Sequence, residues 1–520
     1  MNLNIGKVEG YCFGYYFSLN SKPTKLRRLI KMNSSDKNWS RELSNKSVSF
    51  SIETEVPPTF MRRLLDFICQ KYLLPQKQRF ANIERKLVKD NSAIGFTILD
   101  SSGKEILNVE IAGGKPIRVN IEPLNEMVSE GQVEEVKQDI IIVVELFEEK
   151  VRESTLYFAW REGEAMLVEK LHGKEKHSIN KLFLETQILL FVVFITLGMF
   201  LFLIVGWLAP VVLLAIQLVF VFYSNKFIAR TADWQITSSN PIIHLLEYHL
   251  PFKEHEEFRQ MFPRDKLLTI KKEIYEETLA KKGEIDCETA QKVFSKHGLA
   301  CRSEELTSKK VNVYQLVQKV AEKFGFPMPE VVVSNTMIPN AAASGPSPSH
   351  GVVLITTGLL VQLEDKEIIS VLGHEFGHLK GRDPLLLYGL TGAEFLFRFY
   401  VLFPLFPFIF YSYLFFVYFW LVMTFIYFIA KFFEARADIL SAVVMGQPEV
   451  LAGALEKIGF KRLLYERAPA YRFQEWVSLD PHPPIYFRVN RLEKIKTPVE
   501  MKHPLIQSAK DVINGFFATL

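Results

Sequence analysis

Two long stretches of this chain are almost without charge, and they divide it into alternating apolar and polar blocks. The first runs 36 residues, from Ile188 to Tyr223, with no charged side chain. At about 20 residues per crossing that length predicts two membrane spans, with the turn at Gly206–Pro210, because Pro210 argues against one long helix. The second stretch, Leu385–Ala430, divides at Pro404–Pro407 into one span near 385–403 and another near 408–430. Its Glu394 and Arg398 are four apart, which predicts an ion pair within the bundle, a water-filled cavity, or a span displaced until both reach the interface.

The polar blocks read differently. Over residues 45–172, alternating runs predict strands at 47–54, 93–100, 104–112, 115–122, 155–161 and 164–170, with a hairpin turn at Asp100–Gly103. Helical patterns fall near 58–74 and 128–149. This predicts an α+β binding or regulatory module within a domain of residues 1–180, joined to the first span by a charged linker at 172–181. The remaining expected units are a first hairpin at 188–223, soluble segments at 224–384 and 431–520, and a second hairpin at 385–430. Ser334–Thr357 reads as a turn-rich loop entering a strand at Val352–Thr356. We read that strand as a sheet edge able to pair with an extended substrate backbone, with Val353 and Ile355 as the pairing positions. Asn340 in the loop is a candidate for a hydrogen bond to substrate, or simply a turn former.

Two hairpins would place residues 1–187, 224–384 and 431–520 on one side of the bilayer. The flanking cations Lys174, Lys176, Lys181, Lys226, Arg230 and Lys431 all fall on that side, and the two turns carry none. The positive-inside rule therefore predicts a multi-pass protein of the cell membrane with its soluble bulk in the cytoplasm. The amino terminus has no basic segment followed by a clean apolar run, so no secretory signal is expected. The four cysteines, at 12, 69, 287 and 301, show no metal-ligand spacing and no disulfide framework, which suits a reducing compartment. A net charge of +4 over 520 residues gives no reason to expect a nucleic-acid partner. The expected partners are the lipid bilayer and membrane-protein or peptide substrates.

The chemistry concentrates at His374-Glu375-Phe376-Gly377-His378. The run Lys366–Lys380 has helical periodicity, with Ile369, Leu372 and Phe376 forming an apolar stripe and Gly381 and Pro384 as stop signals. On a helix His374 and His378 lie one turn apart on one face and can bind one Zn²⁺, with Glu375 placed to take a proton from water activated there. A third ligand is needed, and Glu434 supplies it in Lys431–Leu440. Asp438, four residues on and on the same face, would accept the far N–H of a ligating histidine, that of His374. In Asp480–Arg488, His482 is the candidate to stabilise charge on the scissile carbonyl oxygen. Arg488 would either assist it or tether the loop to a carboxylate. The order of these residues brackets the second hairpin, so one Zn²⁺ per chain would sit at the membrane surface, where both helix ends emerge.

Several motifs in order resemble the HtpX-type membrane metalloproteases, relatives of the CaaX prenyl proteases. They are Val313–Pro329, Asn340-Ala341-Ala342-Ala343-Ser344-Gly345, Thr357-Gly358-Leu359-Leu360, the His-Glu-Phe-Gly-His helix, Glu434-Ala435-Arg436-Ala437-Asp438, and His482-Pro483-Pro484 with Arg488. The resemblance covers roughly residues 185–225 and 310–495. It implies a mainly α-helical, gluzincin-like zinc endopeptidase domain with a small edge-exposed sheet, within an α+β multidomain membrane protein. It also implies His374, His378 and Glu434 as zinc ligands, Glu375 as base, Asp438 as the carboxylate behind them, and His482 and Arg488 as late catalytic residues. Membrane-protein quality control, acting on misfolded chains, is the implied role. Two departures are visible: about 180 residues precede the first hairpin, and Arg230–Val311 is longer than such chains carry. A prenyl-protein protease and a non-catalytic membrane scaffold or sensor retaining zinc are the alternatives.

Overall fold

A computed structural model describes residues 47–163, 187–250, 258, 261–299, 305–466, 469–495 and 503–519, apart from positions 53, 55, 77, 89, 90, 101 and 125–127. The strand expected at 164–170 and the linker at 172–181 lie outside the described residues. The chain forms two compact units. One holds Ala159–Leu245 and Lys309–Leu520; the other holds the described residues up to Phe158, with Leu246–Ser308.

The amino-terminal unit is built on an antiparallel sheet of β1 (Val48–Ile52), β2 (Phe80–Val88), β3 (Asn91–Leu99), β4 (Glu105–Ala112) and β5 (Ile117–Pro123), in the order β1-β5-β4-β3-β2. Period-two alternation buries Leu107, Val109 and Ile111 on β4 and Ile117, Val119 and Ile121 on β5. These join the core with the helices Met61–Ile68 and Glu130–Glu153, the latter closed by a Ser129–Gln132 capping box. Strand β2 was not anticipated. It is a charged edge carrying Glu84, Arg85 and Lys86, with a bulge after Ala81 and Asn82 at φ 51°, so it lacks a clean alternation.

The boundaries between the units differ from the expected ones. The described residues within 246–308, expected with the 224–384 segment, group with the amino-terminal unit, where Tyr248 and Phe158 both meet Phe294 and Tyr248 also meets Phe258. The strands β6 (Thr155–Arg161), β8 (Ile242–His249) and β9 (Leu306–Asn312) form a three-stranded sheet in the order β6-β8-β9. The strand between them in sequence, β7 (Trp234–Ile236), belongs elsewhere.

The second unit holds a mixed sheet of β7 with β10 (Glu330–Ser334), β11 (Ala341–Ser344) and β12 (Val352–Thr356), in the order β11-β12-β10-β7. This corrects one expectation. Strand β12 is internal, paired with β11 on one side and β10 on the other, and Val353 and Ile355 are buried. A strand as uniformly apolar as Val-Val-Leu-Ile suits a doubly paired interior position, and the edge beside it is the alanine-rich β11.

Three helical runs among the described residues are long and apolar enough to cross a membrane: Thr196–Phe222, Asp383–Leu405 and Leu414–Met445. The first folds back at Gly206–Leu208, where Gly206 adopts φ 55° and brings Gly198 against Leu213. Apolar side chains face outward here, Leu203 being 84% exposed. Gly392 packs on Leu214, Tyr388 donates to the Leu214 carbonyl, and Tyr400 donates to that of Trp207. Glu394 and Arg398 form an ion pair at 3.1 Å, Tyr418 donates to Glu394 at 2.9 Å, and the guanidinium lies over Phe395 and Phe419.

The helix Asp365–Gly381 is buried on nearly every side and packs along Leu414–Met445. Gly373 and Gly377, one turn apart, face that neighbour. A Cβ on Gly377 would lie 3.0 Å from the Ala437 Cα, and one on Gly373 would lie 2.7 Å from the Ser441 Oγ. Ser441 donates to the Ser370 carbonyl at 2.9 Å across the same seam. Replacing Gly377 with valine should therefore cost about 1–3 kcal/mol through overpacking, despite valine's better helix propensity. Gly453→Ala, where open space surrounds a helical glycine, should be neutral or stabilising by up to about 1 kcal/mol. Thermal melts of the two purified variants check the pair.

Candidate metal centre

The close contact of these two helices sets three ligand atoms against one another. His374 Nε2 and His378 Nε2 are 3.2 Å apart, and the Glu434 carboxylate lies 3.4 Å from the first and 3.2 Å from the second. His374 and Glu434 are buried and His378 is half-buried. Each imidazole is oriented from its other side. His374 Nδ1 meets Asp438 at 2.9 Å, and His378 Nδ1 meets Asp383 at 2.8 Å. With each Nδ1–H donating to a carboxylate, both Nε2 lone pairs point at the same space. Two facing lone pairs repel unless a proton or a cation lies between them, and a Glu434 oxygen beside them is buried without a hydrogen bond. The donor set of two neutral nitrogens and one carboxylate therefore fits a divalent cation.

The proton distribution follows from the same geometry. Burial works against a charged His378, but the Glu434 charge and the hydrogen bond to Asp383 outweigh it and hold this imidazole well above the ordinary histidine value. His374 is raised in the same way, burial being outweighed by the Asp438 carboxylate at its Nδ1 and the Glu434 carboxylate beside its Nε2.

Arg488 is buried and binds Asp438 through two bonds, Nε at 2.9 Å and Nη2 at 2.7 Å. Burial alone would lower its pKa, but the Asp438 charge more than compensates, so it stays cationic. Its guanidinium lies against the carboxylate that meets His374, with Nη1 3.7 Å from Glu434. Its helix, Ile485–Glu493, is capped by the buried Glu466, which accepts the N–H groups of Ile485 and Tyr486 at 2.9 and 2.8 Å.

Glu375, beside the ligands, accepts the backbone N–H of Ala343 in β11 at 3.0 Å. His482 lies at the rim, 48% exposed, with Nε2 3.7 Å from Glu434 and Nδ1 2.8 Å from Asp480. Burial would raise the Asp480 pKa, but the bonds from His482 and the charge of Arg462 hold it below the usual carboxylate range. Lys431, one of the expected flanking cations, is buried and donates to the carbonyls of Ser478 and Asp480, fixing the loop that carries His482. Asn340 has an exposed side chain, while its backbone exchanges hydrogen bonds with Thr356.

Asp383 was missed. It lies five residues beyond His378 and also pairs with Arg436 of the ligand-bearing helix. Beside Pro384 it reads as part of a helix stop, yet a lone acid at the mouth of an apolar run was the available signal.

Asp383→Asn should weaken metal binding by about 10–100-fold, measured by competition with a chromophoric chelator on the folded variant. A second outcome concerns pH. A metal ion must displace protons that these imidazoles bind more tightly than free histidine does. Apparent affinity should therefore fall with falling pH, starting above the ordinary value of about 6.5, by up to about tenfold per pH unit for each proton displaced. Affinity that stays flat down to that value would contradict the geometry.

The family model for peptidase family M48 matches residues 307–496. Among curated proteins, the chain is 45% identical over 74 residues to the HtpX-homologue protease of Thermodesulfovibrio yellowstonii, an alignment covering 14% of this chain and 26% of that relative. The HtpX-homologue proteases of Pyrococcus furiosus and Methanocaldococcus jannaschii are each 43% identical over 74 residues, with the same coverage. The aligned stretch thus spans about a quarter of the length of these relatives. Residues 307–496 thus match the peptidase family M48 model, and a 74-residue stretch of the chain is similar to HtpX-homologue proteases.

Proposed function

We propose that this protein is a zinc-dependent endopeptidase embedded in a membrane, which cleaves membrane-associated and misfolded proteins at the cytoplasmic surface. The observation that carries the reading is the placement of the three ligands. His378 lies five residues before the apolar run that begins at Asp383, and Glu434 lies four residues after Ala430 on a helix that is apolar from Leu414. Four crossings are supported by the fold-back at Gly206 and by the bond from Tyr400 to Trp207, which sets the turn ends of both hairpins side by side. Lys226 and Arg230 at the opposite end support a cytoplasmic site.

Zinc suits a site of two imidazoles and one carboxylate with a free side, and when bound it polarises water and the scissile carbonyl. Glu375 then takes the water's proton and delivers it to the leaving amine nitrogen. The free edge of β11, whose Ala343 N–H already touches Glu375, is the strand against which a substrate backbone would pair. His482, at the rim and oriented by Asp480, is placed to donate to the carbonyl oxygen as it gains charge.

Glu375→Gln should retain metal stoichiometry and lose about 10²–10⁴-fold in cleavage of a membrane-protein or casein substrate. A chelator should abolish the activity of the parent chain. An unchanged cleavage rate in the variant would contradict the assignment, and retained metal without any cleavage by the parent would favour the non-catalytic sensor.

A further inference from the structure

The helix Pro504–Phe517 has two apolar sides. One carries Val512 and Phe516, which pack with Trp476 on Phe428 and Phe432 of the Leu414–Met445 helix. The other carries Ile513 and Phe517, one turn apart and exposed, with Phe517 at 64%. Exposed Lys510 continues this face one turn back, and Ile506 a further turn back. The orientation of the helix is fixed from its polar side. Arg491 donates to Asp511 at 2.7 Å, to Ser508 at 2.9 Å and to the Ala435 carbonyl, so the outward stripe belongs to a clamped element.

The same bonds give its direction. Ser508 is linked through Arg491 to Ala435, whereas Phe516 lies on Phe428 with ring centroids 5.5 Å apart. The helix therefore runs antiparallel to its neighbour, with its carboxyl end toward the apolar section. Phe428 precedes Lys431, the first charge after that section, by three residues, or about 4–5 Å of helix. Phe517 thus reaches the depth where the neighbour is still apolar, and Ile513 lies level with Lys431 at its boundary. Lys510, about 4–5 Å further out, lies where an ammonium group can meet lipid phosphates.

We propose that the last turns of this helix, with Ile513 and Phe517, insert into the bilayer boundary beside the span, and that lipid is the partner of the stripe. The proposal rests on the reading that the apolar part of Leu414–Met445 crosses the membrane. Its consequence is mechanical. The helix holding Arg491, and with it Arg488 and Asp438, would be docked on lipid as well as on protein, fixing the height of the metal centre above the membrane.

The test uses the full chain with its native cysteines changed to serine and an environment-sensitive fluorophore on a cysteine introduced by Phe517→Cys, Gln507→Cys or Phe425→Cys. Each protein is reconstituted in phosphatidylcholine vesicles with or without nitroxide-labelled lipid. Labels at 517 and 425 should both lose at least about half their fluorescence, and the label at 507, on the polar side, should change little. Quenching at 425 but not at 517 overturns the proposal and leaves the membrane reading standing. No quenching at 425 overturns both. A label at 517 shielded from nitroxide lipid and from aqueous iodide alike means that a second chain covers the stripe, which also overturns the proposal. Should Phe517→Cys fail to fold, Ile513→Cys carries the label with the same expectation.

Discussion

The contact of two helices at Gly377 and Ala437 is the constraint on which the rest of the second unit depends. With a Cβ at Gly377 only 3.0 Å from the Ala437 backbone, no ordinary side chain fits the seam. The approach brings Glu434, one turn before Asp438, within 3.2–3.4 Å of both imidazoles. A wider crossing would leave two histidines and a glutamate as separate polar groups buried at a cost, with no common point to coordinate. Function here follows from backbone proximity before it follows from any side-chain chemistry.

That proximity forces several charges into a small, largely dry volume, and the structure meets the problem by pairing them. Asp438 is fully buried and satisfied by Arg488 and His374 together. Asp383 is shared by His378 and Arg436, and Glu466 is spent on two backbone N–H groups. Each pair spans two elements, so the electrostatics tie the ligand helix, the His-Glu helix and the Arg488 helix into one object. Removing one partner of such a pair strands the other, a loss of about 3–5 kcal/mol at fully buried sites. The rigidity that results is what a metal site requires of its surroundings.

Much of this was legible in the chain because the informative spacings are helical. Positions 374 and 378, then 434 and 438, each fix two side chains on one face whatever the rest of the fold does. The apolar runs were equally plain, since length and lack of charge suffice to recognise them. Less legible were features set by tertiary partners. The uniformly apolar run around Val353 and Ile355 pointed to an interior strand, but which strands flank it is fixed only by the pairing with β10 and β11. Strand β2 hid behind its charges, and the described residues within 246–308 behind an aromatic cluster assembled from distant segments. Asp383 depended on a contact across a helix end that sequence spacing does not report.

The central claim is that His374, His378 and Glu434 hold one metal ion at the meeting of the two helices. X-ray absorption spectroscopy of the purified full-length protein at neutral pH tests it most directly, run beside Glu434→Ala. Nitrogen and oxygen scatterers at about 2.0–2.2 Å, with the outer-shell signature of two imidazoles, are expected. Glu434→Ala should remove an oxygen or lose the metal. Sulfur scatterers, a single imidazole, or a spectrum unchanged by Glu434→Ala would contradict the claim.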